Sequence, residues 1–74
     1  MSDHCVILFP TSAHVMRAEK LLQEAAISCR LIPVPRHLSS DCGFCLEVKY
    51  CDCANVCALF DDKKLIYDET ARLT

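Results

Sequence analysis

The spacing of apolar residues changes along the first part of the chain and predicts a strand followed by a helix. Cys5–Phe9 is apolar at every position, which is typical of a central strand covered on both faces. Pro10 ends this strand, and Thr11 or Ser12 offers a hydroxyl N-cap for a helix that runs to about Ala26. The apolar side of this helix has a period of about 3.6 residues and comprises Val15, Ala18, Leu22, Ala25 and Ala26.

Two further strands are predicted in the middle of the chain. Cys29–Val34 forms the first, and Pro33 and Pro35, which lack an N–H, place it at the edge of a sheet. A polar loop, Arg36–Gly43, follows it. The next strand alternates between a buried face and a wetter face. The buried face comprises Phe44, Leu46, Val48 and Tyr50, and the wetter face comprises Cys45, Glu47 and Lys49.

The remaining pattern completes an α+β fold. Asp52 is predicted to cap a short helix, Cys53–Phe60, and Leu65–Tyr67 to form the last strand. The order β-α-β-β-α-β is that of the ferredoxin-like split βαβ motif, with a four-stranded antiparallel sheet in the order 4-1-3-2 and two helices on one face. We expect residues 1–74 to form one such domain. The end of strand one, the start of helix one and the loop entering strand three should then share one edge of the sheet.

Composition narrows the function classes. The hydrophobic content of 53% excludes disorder, and the net charge of −2 disfavours nucleic-acid binding. No apolar run reaches the roughly 20 residues that span a bilayer, and Cys5–Phe9 is too short for a signal peptide. These features predict a cytoplasmic protein without a membrane partner.

The cysteine content points to thiol chemistry. Seven cysteines in 74 residues form an odd set, whereas a small secreted domain would carry an even disulfide framework. In a reducing compartment the same content indicates free thiols, metal ligation or sulfur chemistry. No organic cofactor is implied.

Cys42 is the strongest candidate for a reactive thiol. The thiolate is the nucleophile, and nearby cations or a helix N-terminus favour it. Gly43 allows close backbone approach, whereas the Asp41 carboxylate opposes ionisation. The groups predicted to stabilise an anion on this sulfur are Arg36, His37, Ser39, Ser40, Gly43, Thr11 and Ser12. The alternative is an inert loop cysteine, since cysteine often serves as a small apolar residue.

Cys45 forms a C-x-x-C pair with Cys42. Its place on the wetter strand face predicts that solvent reaches it. It could act as a resolving thiol, as a second ligand for Zn²⁺ or Cu(I), or as an incidental strand cysteine.

Among the other cysteines, Cys53 and Cys57 share the helix face that must cover the sheet, so packing is favoured over metal ligation. Cys51 should lie at the opposite end of the third strand from Cys42, and Cys5 and Cys29 are interpreted as strand packing.

The chain also resembles a known family. The resemblance extends to about Val48, and its most specific part is the segment Pro-Arg-x-Leu-Ser-Ser-x-Cys-Gly that ends at Gly43. This pattern is similar to that of small bacterial domains described as sulfur/selenium carrier-like proteins. The resemblance implies that Cys42 holds the chalcogen within a motif formed by Arg36, Ser39, Ser40 and Gly43. The chain departs from the family pattern after strand three, with a short, cysteine-rich second helix and the extra thiol of Cys45.

Three hypotheses follow. The first is a carrier, rather than a turnover enzyme, that accepts sulfur or selenium on Cys42 as a persulfide or perselenide. The atom would come from a donor enzyme and pass to an acceptor enzyme. A disulfide between Cys45 and Cys42 could release it. The second is a soft-metal module that binds Zn²⁺ or Cu(I) through the same two thiols. The third is a regulatory domain that forms a homodimer through the open face of the sheet, an assembly compatible with all three hypotheses.

Overall fold

The computed structural model describes residues 3–34 and 43–73, with side chains up to Ala71 in the last strand. Its strands are β1 (His4–Leu8), β2 (Cys29–Pro33), β3 (Phe44–Lys49) and β4 (Glu69–Leu73), and its helices are α1 (Ser12–Glu24) and α2 (Cys53–Asp62). The sheet has the order β2-β3-β1-β4, and every neighbouring pair is antiparallel. This is the predicted 4-1-3-2 order of the ferredoxin-like motif, so the predicted fold class is confirmed.

Strand β1 is the centre of the molecule. It lies between β3 and β4, and the stretch Cys5–Phe9 is buried at every position. Cys5 and Ile7 belong to the core beneath the helices, together with Leu22 of α1 and Phe60 of α2. The prediction of a strand covered on both faces is therefore confirmed.

The second face of the sheet has its own small core. It is built around the buried side chains of Val6, Leu8 and Cys45, with Ile32 and Ala71 packed against them. Because these three side chains are already withdrawn from solvent in a single chain, a dimer would not need this surface to bury them. Homodimerisation through this face stays a prediction.

Strand β2 lies at the edge of the sheet, as its prolines predict. Pro33 is its last residue and pairs with Phe44, the first residue of β3. One position further out, the Val34 N–H donates a hydrogen bond to the Gly43 carbonyl at 3.1 Å. The chain thus leaves β2 and enters β3 at adjoining points.

Helix α1 begins as predicted and ends slightly earlier. Thr11 is its N-cap, and its hydroxyl accepts a hydrogen bond from the His14 N–H. The helix ends at Glu24 because Ala26 adopts a left-handed conformation with φ of 60°. The N–H of Ile27 then bonds to the Leu22 carbonyl at 2.9 Å, which closes a Schellman motif.

Helix α2 is entered through a 3₁₀ turn, Tyr50–Asp52, that the sequence did not predict. Asp52 occupies the N-cap position, but its backbone is already helical and its side chain makes no capping bond, so the predicted cap is wrong. The helix continues to Asp62, two residues beyond the predicted end, and closes with Lys64 at φ of 57°. No helix in the described residues is long and apolar enough to cross a membrane.

The last strand was predicted too early. Leu65–Tyr67 is not a strand; the buried Leu65 donates its N–H to the Phe60 carbonyl at 2.8 Å and completes the end of α2. Strand β4 is Glu69–Leu73, and it pairs with β1 along its whole length. It lies at an edge and carries mainly exposed residues at its start, so it lacks the apolar pattern that identifies a buried strand.

Candidate thiol site

The end of β1, the start of α1 and the start of β3 meet at one edge of the sheet. Leu8, the last residue of β1, is paired with Cys45 near the start of β3. Thr11 caps α1 only three positions after Leu8. Gly43 stands immediately before β3 at this same edge. The predicted convergence of these three elements is confirmed for the residues that the structure describes.

Part of the predicted anion site falls outside the described residues. These residues are Arg36, His37, Ser39, Ser40 and Cys42. Their assignment stays a prediction from the sequence. The structure does describe the other four candidates: Thr11, Ser12, Gly43 and Cys45.

The N-terminus of α1 offers hydrogen-bond donors to this edge. Thr11 Oγ1 lies 2.6 Å from Nδ1 of His14 and accepts the His14 N–H at 3.3 Å, so its hydroxyl serves the helix itself. The Val15 N–H bonds to the Thr11 carbonyl at 3.3 Å. The N–H groups of Ser12 and Ala13 precede the first intrahelical bond and have no acceptor within the helix. The backbone N–H groups, rather than the Thr11 hydroxyl, are the donors that this end of α1 can offer to an anion.

Gly43 has a conformation that other residues rarely adopt. Its φ is +81°, and it is exposed. A Cβ built on Gly43 would meet no atom within 4 Å, so glycine is required here by backbone conformation and not by crowding. The left-handed turn at Gly43 orients the chain as it enters β3.

Cys45 is fully buried, which corrects the prediction that solvent reaches it. Its neighbours across the sheet are Leu8 on β1 and Ile32 on β2, and both are apolar. Its Sγ lies 4.0 Å from the Pro33 carbonyl oxygen. Alternation with Glu47 predicts the correct face for Cys45, but that face is buried at Cys45, partly exposed at Glu47 and exposed at Lys49.

Comparison with known protein families identifies the family of this chain. The model of the family described as "Putative Se/S carrier protein-like" matches residues 4–72. The chain belongs to this family. The match confirms the resemblance noted from the sequence and extends it through α2 and β4. No curated protein and no solved structure matches the chain.

The carrier-like domain holds a second group of thiols that the sequence did not bring together. Cys5 on β1 and Cys53 at the start of α2 have their sulfur atoms 2.9 Å apart. Burial and a hydrogen bond to Cys5 raise the pKa of Cys53 to about 11. The contact depends on strand register, which the sequence pattern does not give: Cys5 pairs with Val48 near the end of β3, and the 3₁₀ turn Tyr50–Asp52 then leads into α2.

Cys57 and Tyr67 continue this group. Burial is the main cause that raises the pKa of Cys57, and a hydrogen bond from Tyr67 opposes it. Within the described residues, no three side chains of His, Cys, Asp or Glu are grouped so that they could hold a metal ion. Cys53 packs against the core beneath the helices, and Cys53 and Cys57 are hydrogen-bonded to each other. That these two cysteines serve packing rather than metal ligation stays a prediction.

Proposed function

We propose that this protein carries sulfur or selenium on Cys42, as a persulfide or perselenide, between a donor enzyme and an acceptor enzyme. The observation that supports it most directly is the family match over residues 4–72. The family description names selenium or sulfur as cargo, and the matched range includes the segment that ends in Cys42 and Gly43. Cys42 is the cysteine that the resemblance assigns to the chalcogen.

Loading is a transfer of a sulfane sulfur atom. The Cys42 thiolate attacks the terminal sulfur of a persulfide on the donor enzyme. A new S–S bond forms on Cys42 while the donor S–S bond breaks, and the donor cysteine leaves as its thiolate. No external oxidant is needed, because the transferred sulfur is already at the sulfane level. Selenium would load in the same way from a donor selenosulfide.

The described edge suits an anionic cargo. Cys42 is the covalent neighbour of Gly43, which stands beside the start of β3 and the end of β1. The N-terminus of α1 begins close after β1 and carries a partial positive charge and N–H groups without helical acceptors. In the proposal, these groups and Arg36 stabilise the thiolate and the persulfide anion, which lowers the pKa of Cys42.

Delivery reverses the loading step. A thiolate on the acceptor attacks the terminal sulfur and takes it, which regenerates the Cys42 thiolate. Release through a Cys42–Cys45 disulfide is the alternative, in which Cys45 attacks the inner sulfur and the terminal sulfur leaves as hydrosulfide. The burial of Cys45 favours direct transfer, because the disulfide route needs its fully buried sulfur to reach a second sulfur, whereas direct transfer leaves the packing of Cys45 unchanged.

Mass spectrometry of the protein after incubation with a cysteine desulfurase and cysteine tests the proposal. We expect one additional sulfur atom on the peptide that contains Cys42, removable by dithiothreitol and absent in Cys42→Ser. Cys51→Ser is the matched control, since Cys51 is an exposed thiol at the other end of β3, and it should load normally. An adduct that survives in Cys42→Ser, or none in the wild type with either a persulfide or a selenosulfide donor, would reject the proposal.

A further inference from the structure

The start of α2 and the central strand share a pair of thiols that the carrier function does not use. Cys5 Sγ and Cys53 Sγ lie 2.9 Å apart, although the residues are 48 positions apart in sequence. A disulfide has an S–S distance of about 2.05 Å, so the two sulfurs need to approach by only about 0.9 Å. From this geometry we propose that Cys5 and Cys53 are an oxidation site, a dithiol that closes into an intramolecular disulfide.

The two thiols differ in solvent exposure, and this difference determines which of them an oxidant meets first. Cys5 is 2% exposed, whereas Cys53 is half-buried and lines a groove of about 440 Å³. Cys5, Tyr50, Cys57 and Thr70 also line this groove, but almost none of the surface of Cys5 is exposed. An oxidant of small size therefore meets Cys53 first, and Cys5 is the thiol that resolves the product.

The reaction with a hydroperoxide is balanced in two steps. The Cys53 sulfur attacks the peroxide oxygen, the O–O bond breaks, and Cys53 becomes a sulfenic acid while water or an alcohol leaves. The Cys5 sulfur then attacks the Cys53 sulfur, the S–O bond breaks, and a second water leaves with the thiol proton. Two thiols lose two electrons, and the hydroperoxide gains them.

Hydrogen bonds connect the pair to the surface of α2. Cys53 is hydrogen-bonded to Cys5, Cys57 is hydrogen-bonded to Cys53, and Tyr67 is hydrogen-bonded to Cys57. Each donor stabilises charge on the next sulfur, so Cys57 supports ionisation of Cys53 against the effect of burial. Cys57 is thus a hydrogen-bonded neighbour of the pair and not one of its two members.

The site lies at the other end of the sheet from the carrier edge. Cys5 is near the start of β1, where His4 pairs with Lys49, whereas Leu8 at the far end pairs with Cys45. Closing the disulfide would link α2 to the central strand at the end of the sheet opposite Gly43 and Cys45. Oxidation of this pair and loading of Cys42 are therefore separable by experiment.

Peptide mapping of the Cys42→Ser protein tests the site without interference from the carrier thiol. After treatment with hydrogen peroxide we expect a disulfide-linked peptide pair containing Cys5 and Cys53, reversed by dithiothreitol. Because the bond would close a long loop, the melting temperature should rise by about 10 °C or more on oxidation. Cys51→Ala should retain both effects, since Cys51 is an exposed thiol outside the pair.

Cys57→Ala separates the pair from its hydrogen-bonded neighbour. The Cys5–Cys53 peptide should still form in this variant, but more slowly, by at least about 3-fold, because Cys53 loses a donor. Full oxidation without a Cys5–Cys53 peptide, or a disulfide that uses Cys57 in place of Cys5, would overturn the proposal. Both readouts use proteins that retain Cys5 and Cys53, so neither depends on whether a variant of the pair folds.

Discussion

The backbone of Val34 and the backbone of Gly43 are joined by a hydrogen bond of 3.1 Å, in which the Val34 N–H donates to the Gly43 carbonyl. This bond joins the residue after β2 to the residue before β3, and the proposed carrier cysteine lies between these two residues in the sequence. Gly43, which accepts this bond, has a left-handed backbone conformation with φ of +81°. The residue that is paired with the end of β2 is therefore also one whose conformation favours glycine.

Substitution of Gly43 should cost stability through backbone conformation alone. We expect Gly43→Ala to lower the free energy of unfolding by about 1 kcal/mol, and Gly43→Val by more, because β-branched residues avoid positive φ. Gly43→Asn should cost less than Gly43→Ala, since asparagine tolerates this region. Urea denaturation of the three variants measures the order. Equal losses for asparagine and valine would contradict the conformational explanation, because the space around a Cβ at this position is open.

Sequence reasoning located the fold correctly because its main signals are local. The wholly apolar Cys5–Phe9 identified the central strand, and Pro33 identified the edge strand, which together fix the sheet order. The last strand was missed because β4 pairs at an edge with exposed residues such as Glu69 and Thr70, and carries no buried alternation. The apolar side chain of Leu65 favours a strand in the sequence pattern, whereas in the structure it is buried at the end of α2.

The candidate site was predictable only in part. Position relative to the sheet edge follows from topology, so the placement of Thr11 and Gly43 could be anticipated. The burial of Cys45 and the contact of Cys5 with Cys53 could not, because both depend on cross-strand register and on how α2 packs. A strand pattern gives the face of a side chain but not which neighbours cover that face.

The burial of Cys45 makes a direct prediction for thiol labelling. In native protein, Cys51 should react with a maleimide, because it is exposed, whereas Cys45 should stay unmodified until denaturant is added. Digestion and mass spectrometry after a short pulse identify each labelled site. Labelling of Cys45 at the rate of Cys51 under native conditions would show that this sheet face opens readily. It would also restore Cys45 as an accessible resolving thiol.

The ends of both helices can be stabilised by glycine. Ala26 and Lys64 follow α1 and α2 in left-handed conformations, with φ of 60° and 57°. Ala26→Gly should raise the free energy of unfolding by about 1 kcal/mol, because glycine adopts this conformation without a Cβ penalty. Lys64→Gly should act in the same direction. Ala25→Gly is the control for Ala26→Gly: Ala25 is the C-cap with φ of −85°, so glycine there should give no gain.

Phe60 connects the aromatic residues of the core and should be sensitive to truncation. It is fully buried, and its ring lies 5.9 Å from that of Phe9 and 5.8 Å from that of Tyr67. Phe60→Ala should lower the free energy of unfolding by about 3–5 kcal/mol, enough to leave much of so small a domain unfolded at 37 °C. Phe60→Leu should cost less because it keeps most of the volume. Thermal denaturation followed by circular dichroism distinguishes them, and equal melting temperatures would contradict this packing.

The raised pKa of Cys53 predicts that stability falls in alkaline solution. A folded pKa of about 11 against an ordinary value of 9.0 means that the folded protein holds the Cys53 proton more tightly than the unfolded chain. The stabilisation is therefore complete below about pH 9 and is lost as the pH rises through about 11. The raised pKa values of Cys57 and Tyr67 act in the same direction. Because Cys53 is only partly buried, the effect should be modest.

Comparison with a matched variant isolates the contribution of Cys53, since lysines and tyrosines also titrate in this range. Urea denaturation at a series of pH values between 8 and 11 should show a steeper loss of stability in the reduced wild type than in Cys53→Ala. Cys51→Ala should follow the wild type, because Cys51 lies on the 3₁₀ turn in solvent and outside the Cys5–Cys53 contact. Parallel pH profiles for Cys53→Ala and the wild type would mean that the Cys53 proton is held no more tightly in the folded state, and that its contact with Cys5 is not a hydrogen bond in solution.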